Sequence, residues 1–295
     1  MAKETIQYQE LLNVVRRMSE SYKYDFFLSA CENANLQICQ VCLDAGADIN
    51  FREYLYQRTL IYELARRDEL TEEVGDWLIQ NGADINIADS DDRTILSRAC
   101  ESGNIKIAKY FIDKGIEIRQ HKNEFSKPSD LYWAVKSGKY KLVKILLESG
   151  VNSESDIDGD FENYNPYIQA VYDKFSEIVE LFLQKGAFAD FALHGITPLH
   201  IATANKDIKT ANILLKYNAN VNVKLNAETF SALNFGYDDF VLKPMDIAML
   251  KEDIAMQKLL TSFGGIPSTK EDKIRALTEC SDKKWAMNMI RKLMS

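Results

Sequence analysis

Apolar positions along this 295-residue chain recur at helical spacing rather than in alternation. The clearest stripe is Ile208, Ala211, Leu214 and Leu215, at i, i+3, i+6 and i+7, which puts all four on one face of a helix. A shorter stripe lies ahead of it. Leu199 and Ala202 share a face behind Thr197 and Pro198. Threonine is a favourable N-cap, and proline at the first helical position gives up an N–H that would be unpaired anyway. The spacing predicts two short helices joined by a turn, with Ala202 letting a neighbouring helix approach closely. Gly46, Gly82, Gly115, Gly150 and Gly186 follow comparable stripes, and Asn218 stands in once. Each is expected to take the left-handed conformation that closes a helix.

Two phrases hold this arrangement in phase. Gly46-Ala47-Asp48-Ile49-Asn50 recurs as Gly82-Ala83-Asp84-Ile85-Asn86, with weaker copies at Gly115, Gly150, Gly186 and Asn218. Between them runs Thr197-Pro198-Leu199-His200-Ile201-Ala202, with degenerate copies opening at Asp25, Thr59, Thr94, Ser129, Asn165 and Lys243. Successive starts are 34, 35, 35, 36, 32 and 46 residues apart. A TPLH opening and a GADxN close repeated at this period resemble the ankyrin repeat. The resemblance implies an all-α solenoid of about seven helix-turn-helix units with short hairpin loops. The units fall near 24–56, 57–91, 92–126, 127–162, 163–194, 195–240 and 241–265. Lys174 occupies the mid-repeat position where glycine is expected. Stacked repeats need capped ends. An amphipathic helix over 4–21, with Leu11, Val14, Val15 and Met18 on one side, is expected within an N-terminal cap of residues 1–23. Ser268-Thr269-Lys270-Glu271 reads as a capping box opening a C-terminal cap over 266–295, with a second helix over 282–294.

Composition narrows the function. Hydrophobic residues make up 46% and charged residues 27%, which is a folding composition. The start is polar, and no apolar run reaches the roughly 18 residues needed to cross a bilayer, so a cytoplasmic chain without a membrane partner is expected. The net charge of −8 argues against a nucleic-acid partner. Residues 270–295 carry a balance of +3, which leaves −11 on the rest.

Candidate chemistry is sparse. Cys39 and Cys42 form a lone CxxC, and their repeat phase matches Ala211 and Leu214, core positions where a reduced thiol packs as a small hydrophobe. The histidines are His121, His194 and His200, and no Ser/His/Asp or Cys/His grouping emerges. Glu154, Asp156 and Asp158 before Gly159 lack the terminal glutamate of a calcium loop. No catalytic residue, metal or cofactor is therefore assigned.

The resemblance directs attention to the loop tips and the faces of the first helices, which line a concave surface in such proteins. Read by phase, the candidate partner contacts are Tyr56, Arg58, Arg66, Asp91, Arg93, Glu101, Phe125, Lys136, Phe161, Tyr164, Tyr172, Asp173 and His194. The long spacing before the last unit adds about 13 residues within Lys224–Phe240, where Phe235, Tyr237, Asp239 and Phe240 join the set. Exposed aromatics anchor interfaces and carboxylates steer cations. The expected function is a protein-binding module (scaffold, adaptor or stoichiometric inhibitor) for a partner that is basic or amphipathic at the contact. A small-molecule ligand is not expected. The divergent repeats, rich in Lys, Asn and Ile, look like those of bacterial, viral or protist ankyrin proteins. The alternative is accordingly a host-targeted effector or regulatory protein, acting in the host cytosol, with enzymatic activity in the insertion or the C-terminal helices.

Overall fold

The computed structural model describes residues 2–120, 128–151, 164–193, 195–225, 243–279 and 291. Among them every regular element is helical, apart from an isolated bridge between Leu193 and Ile196. The chain divides into two compact bodies. The first, residues 1–149 without 121–126, holds α1 (Ala2–Arg16), α2 (Glu20–Glu32), α3 (Leu36–Asp44), α4 (Leu60–Arg66), α5 (Glu72–Gln80), α6 (Ile95–Ser102), α7 (Ile105–Asp113), α8 (Asp130–Lys136) and α9 (Tyr140–Glu148). The second, residues 150–295 with 121–126, holds α10 (Pro166–Tyr172), α11 (Ser176–Gln184), α12 (Pro198–Ala204), α13 (Ile208–Lys216), α14 (Pro244–Leu250), α15 (Ile254–Ser262) and α16 (Lys270–Glu279).

Within each body, first helices pack on first helices and second on second. In the first body α2 meets α4, α4 meets α6, α6 meets α8, and α7 meets α9. In the second, α10 meets α12, α12 meets α14, α11 meets α13, and α13 meets α15. The stripe read from the sequence faces the core: Ala211, Leu214 and Leu215 are buried, as are Leu199 and Ala202, while Ile208 at the helix start is half-buried. Cys39 and Cys42 are free thiols buried at the positions of Ala211 and Leu214, and Cys31 and Cys100 are free thiols buried at the position of Thr203.

Backbone angles carry the repeat in a second, independent form. The turn between first and second helix places one residue at positive φ in all seven units: Ala34, Asp68, Gly103, Gly138, Lys174, Lys206 and Glu252. Their separations reproduce those of the TPLH starts. Lys174, at φ +60°, takes the glycine-type conformation without being glycine. Several closing turns are stapled to the next by the residue at one place in the turn, asparagine at 50, 86 and 222 and aspartate at 190, where Asp190 accepts from the Asn220 N–H at 2.9 Å. Asn50 accepts from the Asp84 N–H at 2.8 Å and donates to the Gly82 carbonyl at 3.0 Å. Asn86 accepts from the Glu117 N–H at 2.9 Å. Asn222 repeats both bonds, to the Ile266 N–H and the Gly264 carbonyl.

Two cap details differ from expectation. The N-terminal segment is not one helix over 4–21. α1 ends at Arg16, and Ser19 accepts from the Tyr22 N–H to start α2 at Glu20. The buried stripe of α1 is Leu12 and Val15, joined by Tyr8, Leu11 and Met18, against Val41 and Ala45 of the first repeat. Val14 lies off that stripe and is exposed. The C-terminal capping box sits one residue later than predicted. Thr269 and Asp272 exchange side-chain and backbone bonds at 3.0 and 3.1 Å. Ser268 instead bonds to the buried Asp246, which draws it out of the capping role.

Candidate partner-binding site

The predicted contacts separate into three groups. Tyr56, Arg58, Arg66, Asp91, Arg93, Glu101 and Lys136 lie on the loops and first helices of the first body. Tyr164, Tyr172 and Asp173 border α10 in the second, where both tyrosines are exposed. Phe125, Phe161, His194, Phe235, Tyr237, Asp239 and Phe240 lie outside the described residues.

The first group is built around two buried carboxylates. Glu63, only 9% exposed, accepts a forked pair from Arg66 at 3.0 and 2.6 Å, one bond from the Arg67 Nε at 2.8 Å and one from Arg58 at 3.5 Å. Burial raises the Glu63 carboxyl, but the bonds and charges of Arg66 and Arg67 outweigh it and hold it at about 2. Asp89 accepts from the Tyr62 hydroxyl at 2.7 Å, from Arg98 at 2.9 Å and from the backbone of Asp91 and Arg93. Burial alone would raise Asp89, and these donors keep it below the usual carboxylate range. Burial and the Asp89 contact push the Tyr62 hydroxyl up.

Arg98 ties the network together. It reaches Asp89, Asp91 at 2.6 Å and Glu101 at 3.2 Å, and Glu101 also pairs with Arg93. The Arg93 guanidinium lies 4.3 Å from the centre of the Trp133 ring. By repeat phase Glu63, Arg98 and Trp133 are one position on three successive first helices, α4, α6 and α8. The sequence reading passed over that position, although an acid, a base and a ring at identical phase were readable there.

Above this polar floor stands an apolar tip. Tyr54, Leu55 and Tyr56 are 90%, 72% and 52% exposed. Their loop is held from beneath. The Glu53 carboxylate accepts from the N–H groups of Leu55 at 2.7 Å and Tyr56 at 2.5 Å, and the Tyr56 carbonyl accepts from the Ser90 N–H at 2.8 Å. The Arg58 guanidinium lies 4.3 Å from the Tyr56 ring centre. Tyr54 and Leu55 were also missed by the sequence reading, since their loop position is not one the repeat phase marks as a contact. A pre-ordered ring pair loses little conformational freedom on docking, and tyrosine is enriched among residues that dominate binding energy. The arrangement suits adhesion to a macromolecule. Among the described residues no three His, Cys, Asp or Glu side chains gather as a metal site, and no helix is long and apolar enough to cross a membrane.

A family profile described as "Ankyrin repeats (3 copies)" matches residues 26–122 and 131–224. A Danio rerio protein named "Putative palmitoyltransferase ZDHHC13" is 33% identical over 148 residues, 49% of this chain and 22% of its own length. A Rickettsia felis protein named "Putative ankyrin repeat protein" is 31% identical over 143 residues, 45% of this chain and 61% of its own length. The chain thus spans less than two thirds of these curated relatives. The crystal structure of the human ASB11 ankyrin repeat domain superposes with a TM-score of 0.61 at 21% identity, over 82% of this chain and 99% of that one.

Proposed function

The chain belongs to the ankyrin-repeat family, and we propose that it works as a scaffold, adaptor or stoichiometric inhibitor in the cytoplasm. Ankyrin repeat domains are protein–protein interaction modules, and the repeat fold is typically not enzymatic. The observation that carries the reading is the Tyr54-Leu55-Tyr56 tip, which keeps three large apolar side chains in water on a loop fixed by Glu53 and Ser90. Two electrostatic scales apply. At long range the charge of −8 attracts a partner of net positive charge. At contact, the interleaved arginines and carboxylates beside the tip favour an amphipathic segment. Tyr164, Tyr172 and Asp173 extend the proposed contact set on the second body.

The test is quantitative affinity capture with the wild-type chain and a Tyr54→Ser/Tyr56→Ser variant, followed by titration calorimetry with the purified captured protein. The expected result is a saturable complex weakened at least tenfold by the double substitution. Equal affinity for both chains, and for a Tyr164→Ser/Tyr172→Ser variant, would refute the proposed surface.

A further inference from the structure

Between α4 and α6 lies a cavity of about 310 Å³, lined by Arg58, Arg66 and Arg98 with Glu101, over the small side chains Ala65 and Ala99. The three guanidiniums are held differently. Arg66 is forked onto Glu63, and Arg98 is shared by Asp89, Asp91 and Glu101. Arg58 is the exception. Its side chain is 13% exposed and, among the described residues, its one carboxylate hydrogen bond, to Glu63, is long at 3.5 Å. Its buried Nε has no hydrogen-bond acceptor among the described residues, and the Asp89 carboxylate oxygen stands 3.9 Å away. The Tyr56 and Tyr62 rings, 4.3 and 5.8 Å from its central carbon, hold the group in place.

A guanidinium carries five N–H donors in a planar fork. Leaving buried donors unmatched is costly, and the acceptor that matches two at once is a carboxylate. Glu63, Asp89, Asp91 and Glu101 match Arg66 and Arg98 closely, so the pull on an incoming anion comes from the loosely paired Arg58 and not from a net positive field. The methyl groups of Ala65 and Ala99 leave room for the methylenes that would carry it.

We infer that this cavity is a receptor for an Asp or Glu side chain of the protein partner, whose carboxylate pairs with the Arg58 fork between α4 and α6. The inference rests on the protein-binding reading and adds the chemistry of one anchor to it. The mechanism is exchange: the long bond to Glu63 gives way to two short charge-assisted bonds, while Glu63 keeps Arg66 and Arg67.

The test follows the arginine Nε–Hε cross-peaks of the full-length 15N-labelled chain by NMR at fixed ionic strength, with the Arg58 peak assigned by its loss in Arg58→Lys. The probes are N-acetyl-glutamate amide, its neutral isostere N-acetyl-glutamine amide, and N-acetyl-alanine, whose only carboxylate is a chain terminus. A saturable shift of the Arg58 peak with the glutamate probe, at least fivefold weaker response from the glutamine probe, and loss of the accompanying Arg98 shift in Arg58→Met are expected. Arg58→Lys, which keeps the charge without the fork, should weaken the Arg98 response several-fold and controls for folding. No Arg58 response up to 100 mM probe, an equal response to glutamine, or a stronger response to the chain terminus would overturn the inference. A partner released by Tyr54→Ser/Tyr56→Ser but unaffected by Arg58→Met would overturn it while leaving the protein-binding reading intact.

Discussion

Replacing Glu63 with glutamine removes the charge that organises the first-body network while keeping its shape. A carboxyl held at about 2 instead of its ordinary 4.5 corresponds to about 3 kcal/mol of charge-dependent stability. Glu63 is 9% exposed, but Arg66 and Arg67 are each about two-fifths exposed and regain water when released. The expected cost of Glu63→Gln is therefore about 2–3 kcal/mol, at the lower edge of the range for breaking a buried pair. The sign follows from a folded-state value below the unfolded one. The contribution is complete above about pH 4.5 and is lost as pH falls towards 2. Urea unfolding of both chains, followed by circular dichroism at pH 7, 5 and 3, measures the gap. It should be full at pH 7, nearly full at pH 5, and reduced by more than half at pH 3. A gap under about 0.5 kcal/mol at pH 7, or one that persists undiminished at pH 3, would refute the reasoning.

Two further changes probe the repeat backbone. Asn50→Ala removes two bonds to the next closing turn, and should cost about 1–2 kcal/mol and speed hydrogen exchange at the Asp84 amide; unchanged exchange there would count against the staple. Lys174→Gly relieves a side chain at φ +60° and should stabilise by about 0.5–1 kcal/mol in thermal unfolding, since the relief exceeds the added chain entropy; a lowered melting temperature would contradict it.

The period was legible because it is written twice, once in apolar spacing and once in the turn residues. The positive-φ register was marked at Lys174, where glycine was expected, but not at Ala34, Lys206 or Glu252, residue types that seldom adopt that conformation. The Glu63–Arg98–Trp133 ladder was written at one phase and still overlooked, because a charged residue on a short helix reads as solvated until its neighbours are known. Burial of Asp89 was likewise unreadable: an aspartate in a run of loop aspartates becomes a core group only when Tyr62 and Arg98, 27 and 9 residues away, close on it. The one-residue slip at the C-terminal cap has the same origin, since Ser268 is claimed by Asp246, which is 22 residues distant.

Each asparagine staple reaches from one closing turn to the next, and Asn50, Asn86 and Asn222 hold the same place in their closing turns. Removing a period between two such turns would leave a staple facing an equivalent amide, whereas the Tyr62–Asp89–Arg98 bonds are particular to their repeats and would be cut. Repeat number is therefore constrained most where that arginine network runs.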